Sequence, residues 1–252
     1  MNGFFQNKKT GDIIRKTDYI YRYEFDQEGH LIYSLETKLI GKMVDTLVLY
    51  YEYDANNNLA VVRQKNDKGF FSTQFTYDTK NRIIKEAYYR DIDTMTNNVK
   101  APQFERSTFI SSERYEYEEN TANLKKTYFN NYDFPYLDEY LTYNELGLLK
   151  DRKRVTRTTS QLTTTTYDYN DKGWISKEVT VTPANKNSNQ EIVFNYDKLG
   201  NLTDKQIYKN GEHIRDIQLI YNSKTGILSY TLTRDVKTNF ITILKFDKIE
   251  YF

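Results

Sequence analysis

No cysteine occurs in the chain, which excludes disulfides and thiolate metal sites. Proline is nearly absent, with three residues in 252, and glycine contributes ten. No stretch approaches the roughly twenty consecutive apolar residues of a membrane-spanning helix. The start, Met1-Asn2-Gly3-Phe4-Phe5, has no charged region followed by an apolar one. Either the protein is cytoplasmic or its leader has been removed. No excess of one charge exists either. Thirty-six basic residues face thirty-five acidic ones, leaving +1, so no global field attracts nucleic acid or anionic lipid.

Aromatic residues are what the chain has in quantity. They make up 15% of it, and tyrosine alone supplies 24 residues. Tyr, Phe, Thr and Ile suit a pleated, half-buried surface, which points to an all-β fold. Mean hydropathy is −0.80 and 28% of residues are charged, so the core is expected to be thin and one sheet face wet.

The aromatics are periodic. Nine times an aromatic precedes Asp, Asn or Glu, at the anchors Phe25, Tyr53, Tyr77, Tyr117, Tyr143, Tyr169, Tyr196, Tyr221 and Phe246. The spacings are 28, 24, 40, 26, 26, 27, 25 and 25 residues, a repeat signature. Two residues before each anchor stands another large apolar side chain (Tyr23, Tyr51, Phe75, Tyr115, Leu141, Tyr167, Phe194, Leu219, Leu244), and the residue between is polar in eight of nine cases. This alternation predicts a strand with the aromatics on one buried face. In six units Gly or Asn follows four residues after the anchor (Gly29, Asn57, Asn81, Gly147, Gly173, Gly200), and Leu or Ile two later. The Asp or Asn can accept backbone N–H bonds, and the Gly or Asn tolerates the positive φ of a type I turn with a bulge. Gly226 before Leu228 keeps this logic with one residue added; Ala122 before Leu124 does not and predicts a different turn.

The expected fold is therefore an antiparallel meander of repeated β-hairpins, about sixteen to twenty strands by hairpin counting, forming one long, twisted and curled sheet. Residues 1–252 are expected to form a single repeat domain. It comprises an incomplete hairpin over 1–18, repeats over 19–245 with a polar insertion at 91–107 that contains Pro102, an Asn-rich loop at 182–190, and a closing edge strand at 246–252.

Chemistry is sparse. His30 and His213 are expected as exposed turn residues without the partners that a zinc site or a catalytic triad needs. The anchor acids recur with the repeat and read as turn formers, not catalytic groups. Asp91 and Asp93 lack the twelve-residue calcium-loop pattern. Trp174 is the better placed ligand-binding candidate, against the more ordinary role of packing on the adjacent turn. Arg152, Arg154 and Arg157 form the densest basic run, a ligand-binding candidate against the more common reading of a solvated strand face. No catalytic residue, metal or cofactor is assigned.

The motif aromatic-Asp/Asn-x-x-Gly/Asn-x-Leu, from Phe25 to Phe246, resembles the YD repeat of Rhs-type proteins, teneurins and the shell components of insecticidal toxin complexes. In large members the resemblance implies a β-strip spiralling into a hollow shell around cargo, and sugar binding is associated with such repeats. With about nine units and no toxin tip, the chain looks like a short stand-alone relative of the kind exported or lipid-anchored in Gram-negative bacteria. The resemblance implies a non-catalytic scaffold or recognition surface in the periplasm, outer membrane or cell surface, with a carbohydrate or another surface protein as partner. Two alternatives remain open: a carbohydrate-active enzyme with acids in the loop insertions, and part of a cargo-enclosing shell.

Overall fold

The computed structural model describes residues 1–40, 43–66, 68–93, 104–121 and 123–248. Within these residues the chain forms eighteen strands and one short 3-10 turn, Lys186–Ser188. In chain order the strands are β1 (Asn2–Lys8), β2 (Arg15–Phe25), β3 (Leu31–Ile40), β4 (Met43–Tyr53), β5 (Leu59–Asn66), β6 (Gly69–Tyr77), β7 (Ile83–Asp93), β8 (Phe104–Asn120) and β9 (Asn123–Phe129). The second half contains β10 (Pro135–Tyr143), β11 (Leu149–Thr156), β12 (Leu162–Tyr169), β13 (Ile175–Val181), β14 (Gln190–Tyr196), β15 (Leu202–Lys209), β16 (Glu212–Tyr221), β17 (Leu228–Asp235) and β18 (Ile241–Lys248).

Each strand pairs antiparallel with its neighbours in sequence. The expectation of an open, curled sheet needs correction, because β1 also pairs with β18, from Gly3 opposite Phe246 to Lys8 opposite Ile241. The meander therefore closes into an eighteen-stranded barrel with no free edge strand. Closure satisfies the outer hydrogen-bonding groups of the first and last strands, which an open sheet would leave unpaired. Periodicity reveals hairpins but not whether the accumulated twist brings the ends together. Residues 249–252 of the expected closing strand, and Pro102 with most of the expected insertion, lie outside the described residues. The flanks of that insertion are ordinary strand, since Asp91 belongs to β7 and Ser107 to β8.

The motif turns join even-numbered strands to the following odd ones and so gather at one rim of the barrel. Their Gly and Asn residues adopt positive φ, including Asn57 (61°), Asn81 (57°) and Gly200 (94°). All six regular turns, and the β16–β17 turn with its added residue, close with a register shift at the anchor, the extra residue lying on the odd strand. The β8–β9 connection departs from the pattern as expected. There Asn120 pairs directly with Asn123, and Tyr117 sits unshifted opposite Lys126. The return connections form the other rim, and Asn210-Gly211 makes a two-residue hairpin with φ of 53° and 84°.

Following the direct pairs around the ring places every anchor, and the apolar residue two before it, on one face, here the anchor face. The core is divided differently from expectation. Tyr33, Val48, Tyr50 and Phe70 form a buried cluster, with Leu35 and Phe104 packed on it. The register puts Tyr33, Val48, Tyr50 and Phe70 on the opposite face. Each wall thus buries side chains on both sides, in different sectors, and no single aromatic face monopolises the core.

Candidate functional site

The motif rim is built by the anchor-following acids and amides. Asp54 Oδ1 accepts the N–H groups of Asn56 and Asn58 at 2.8 and 2.9 Å, and Asp78, Asn144, Asn170 and Asp197 do the same in their own turns. These N–H bonds contribute to holding the Asp54, Asp78 and Asp197 carboxyls below the ordinary carboxylate value. The turn acids are thus committed to local structure.

One turn offers more ligand atoms than its sisters. Asp26, Glu28 and His30 bring three such atoms within 4.8 Å of one another. His30 Nδ1 lies 2.9 Å from Asp26 Oδ2, and its ring packs 4.7 Å from that of Tyr53. Asn58, Arg82 and Asn201 make the same contact with the second oxygen of Asp54, Asp78 and Asp197. The His30 contact is therefore the repeat's own fastening, filled here by imidazole. Both histidines depart from the expectation of free exposure. His30 is half-buried, and His213 stacks on Tyr208 at 4.7 Å with Nε2 2.7 Å from Asp216.

Trp174 lies against the neighbouring turn. Its ring is 5.3 Å from that of Tyr196 and closes over Gly200, where an added Cβ would meet Trp174 Cζ2 at 2.7 Å. Arg152 and Arg154 share the anchor face, paired opposite Leu141 and Glu139. Arg157 does not join them. It makes two hydrogen bonds of 2.8 Å to the buried Asp138, which also accepts from Thr127 at 2.9 Å. The basic run is thus split between a face and a structural ion pair. Asp91 is likewise spent, bonded by Arg63, Ser72 and Ser107 at 3.0, 3.1 and 2.6 Å; the side chain of Asp93 lies outside the described residues.

On the anchor face a polar cluster surrounds Lys126. Its ammonium sits 3.7 Å above the Tyr115 ring and 4.5 Å from that of Tyr128. Tyr115 and Tyr136 donate to Glu113, and Tyr128 donates to Glu139. Burial pulls the Lys126 amine below its usual value, against the opposing pull of Glu139, Glu86 and Glu113. The opposite face of β15 and β16 holds a second group. Burial, then the charge of Asp216, raises the Asp204 carboxyl, whose buried Oδ1 has no hydrogen-bond partner among the described residues.

A ladder of tyrosine hydroxyls fastens one unit to the next, through acceptors that the sequence does not name. Tyr53, Tyr77, Tyr117, Tyr169, Tyr196 and Tyr221 donate to the carbonyls of Leu31, Leu59, Ile83, Leu149, Ile175 and Leu202, at 2.7–3.1 Å. Each acceptor is the Leu or Ile that ends the preceding unit's motif. The preference for Tyr over Phe at the anchors was its sequence signal. A further turn of the same chemistry, on the return rim between β9 and β10, also escaped notice. Asn130, after Phe129, accepts from Tyr132 and Phe134, with Asp133 at positive φ in the glycine place.

No protein-family model matches the chain, and no curated protein matches it. Among solved structures, a porin-like protein from Bacteroides uniformis is similar over 98% of this chain and 97% of its own, with a TM-score of 0.44 and 10% identity. A porin-like protein from Bacteroides vulgatus covers 98% of both chains with a TM-score of 0.36 and 9% identity. The Photorhabdus luminescens Tc holotoxin pore matches 96% of this chain over 18% of its own, with a TM-score of 0.36 and 11% identity. No helix among the described residues is long and apolar enough to cross a membrane.

Proposed function

We propose that this protein is a non-catalytic scaffold with a recognition surface, a short YD-repeat-like barrel acting outside the cytoplasm. The observation that carries this reading is the commitment of the turn acids, Asp91, Asp138 and His30 to architecture. The turn acids hold backbone N–H groups, Asp91 and Asp138 are locked by arginine, and the His30 ring is held by Asp26. A catalytic constellation needs a reactive group whose bonding capacity is left for a substrate.

The barrel works in water in this reading. A lipid-facing barrel needs an apolar band about 25 Å tall on its outer face. Here the opposite face carries Arg63, Lys85, Arg114, Lys153, Lys177 and Glu191, and the anchor face carries Glu86, Glu113, Lys126, Glu139, Arg154 and Glu178. Whichever face is outermost, charge interrupts the band. Export to the periplasm or cell surface, with or without a lipid anchor on the native precursor, fits this chemistry, and the partner is a carbohydrate or another surface protein. Closure supports a second reading as part of a cargo-enclosing shell, because barrels of sixteen to eighteen strands leave an open bore.

The test is a glycan array read for both retention and product release, using wild type, Trp174→Ala and Arg152→Ala/Arg154→Ala. Retention without product supports the proposal, and loss of retention in either variant locates the surface. Release of cleaved glycan would overturn the non-catalytic reading in favour of a carbohydrate-active enzyme.

A further inference from the structure

The β2–β3 turn departs from its sisters on the motif rim at two positions. Three residues after the anchor Phe25 stands Glu28, where the other regular turns carry Asn56, Lys80, Leu146, Lys172 and Leu199. Five residues after it stands His30, where they carry Asn58, Arg82, Leu148, Trp174 and Asn201. No sister turn holds an imidazole, and none of those that open on Asp holds a second carboxylate. Backbone bonds then gather the two side chains on Asp26, whose Oδ1 accepts the N–H groups of Glu28 and His30 at 3.0 and 2.8 Å. His30 Nδ1 lies 2.9 Å from Asp26 Oδ2 and 3.7 Å from Glu28 Oε2. Among the described residues this is the one group of three such ligands within 4.8 Å of one another.

A proton does not fully serve this arrangement. Nδ1 carries at most one hydrogen, and Asp26 Oδ2 is the nearer acceptor for it. Glu28 still turns its carboxylate towards the same nitrogen, although its side chain is 75% exposed to water. Two carboxylates gathered on one ring nitrogen repel each other unless a cation stands between them. Ligand atoms around a tetrahedral ion, bound at about 2.0–2.1 Å, lie roughly 3.4 Å apart. That spacing falls between the 2.9 and 3.7 Å found here.

We propose that Asp26, Glu28 and His30 bind a divalent transition-metal ion of the zinc type. One imidazole nitrogen with two carboxylate oxygens suits zinc better than calcium or magnesium, which favour oxygen ligands throughout. The metal takes the place of the hydrogen between Nδ1 and Oδ2, and the ring proton moves to Nε2. The two backbone N–H bonds to Oδ1 hold the ligating carboxylate from behind, as outer contacts do at metal sites. The Tyr53 ring, 4.7 Å from that of His30, fixes the imidazole in the same way. Water fills the fourth position. The fastening of His30 to Asp26 thus persists as a metal clip, separate from the recognition surface placed at Trp174 and the basic run.

Titration calorimetry with zinc chloride, and with calcium and magnesium chloride in parallel, tests the site on the untagged full chain after EDTA treatment. His30→Asn removes the imidazole yet keeps the fastening, because Asn58 and Asn201 make it in their own turns. Glu28→Gln, at an exposed position, removes the third ligand and leaves the fastening untouched. His213→Asn controls for zinc taken up by the other histidine. Circular dichroism first matches every variant to wild type. The expected result is one zinc per chain and a melting temperature raised by zinc in wild type. Affinity should fall at least tenfold in Glu28→Gln, vanish in His30→Asn and stay unchanged in His213→Asn. A wild type that binds no zinc would overturn the site, as would binding that survives His30→Asn or depends on His213. Loss in His30→Asn without any effect of Glu28→Gln would overturn the three-ligand site. Calcium or magnesium bound as tightly as zinc, and indifferent to His30→Asn, would overturn the imidazole chemistry.

Discussion

The hydroxyl of Tyr196 donates to the main-chain carbonyl of Ile175 at 2.9 Å, fastening one repeat to the one before it. Six such bonds run round the wall, and among the described residues Tyr143, after the irregular β8–β9 connection, makes none. A half-buried neutral hydrogen bond contributes about 0.5–1.5 kcal/mol. Tyr196→Phe and Tyr77→Phe are each expected to lose about that much stability in denaturant titrations. Tyr143→Phe should lose less. The double variant Tyr77→Phe/Tyr196→Phe should sum the two losses, because the sites share no partner.

Gly200 and Gly147 separate two costs of substitution. Both have positive φ, 94° and 73°, but an added Cβ at Gly147 meets nothing within 4 Å whereas at Gly200 it strikes the Trp174 ring. Gly147→Ala should cost about 1–2 kcal/mol from backbone conformation alone. Gly200→Ala should cost roughly 1–3 kcal/mol more from the clash. Since Trp174 is the sole tryptophan, a shift in its emission maximum in Gly200→Ala, and none in Gly147→Ala, checks the cause.

Two carboxylates should give opposite pH signatures. Hydrogen bonding by Arg157, helped by Thr127, holds the Asp138 carboxyl below its usual value despite burial. Its contribution is complete above the unfolded value, about 4, and is lost as pH falls through the lower folded value. Asp138→Asn should therefore destabilise strongly at pH 7 and converge towards wild type in acid. Burial, then Asp216, raises the Asp204 carboxyl. Its folded form disfavours ionisation, so stability declines as pH rises from the unfolded to the folded value. Asp204→Asn should raise the melting temperature at pH 7 and leave it unchanged below about pH 3. Melting curves across pH 3–8 decide both.

The hairpins were legible because each unit repeats its information locally: Tyr53-Asp54 to Leu59 specifies a strand end, an Asx-stabilised turn and a bulge within seven residues. Closure was not legible, since the pairing of Gly3 with Phe246 depends on twist summed over the whole ring. Trp174 packs on its neighbouring turn, the more ordinary of its two roles. Arg157 misled because residue type shows charge but not partner, and Asp138 lies 19 positions away on another strand.

The seam between first and last strands is the most direct test of the account. Asn7 pairs with Thr242 across it, and the absence of native cysteine makes Asn7→Cys/Thr242→Cys a clean probe. The closed barrel predicts rapid intramolecular disulfide formation in the folded monomer under mild oxidation, read by mass spectrometry and abolished by prior denaturation. A folded monomer that forms no such bond, or links only between molecules, would show that the ends of the sheet do not meet.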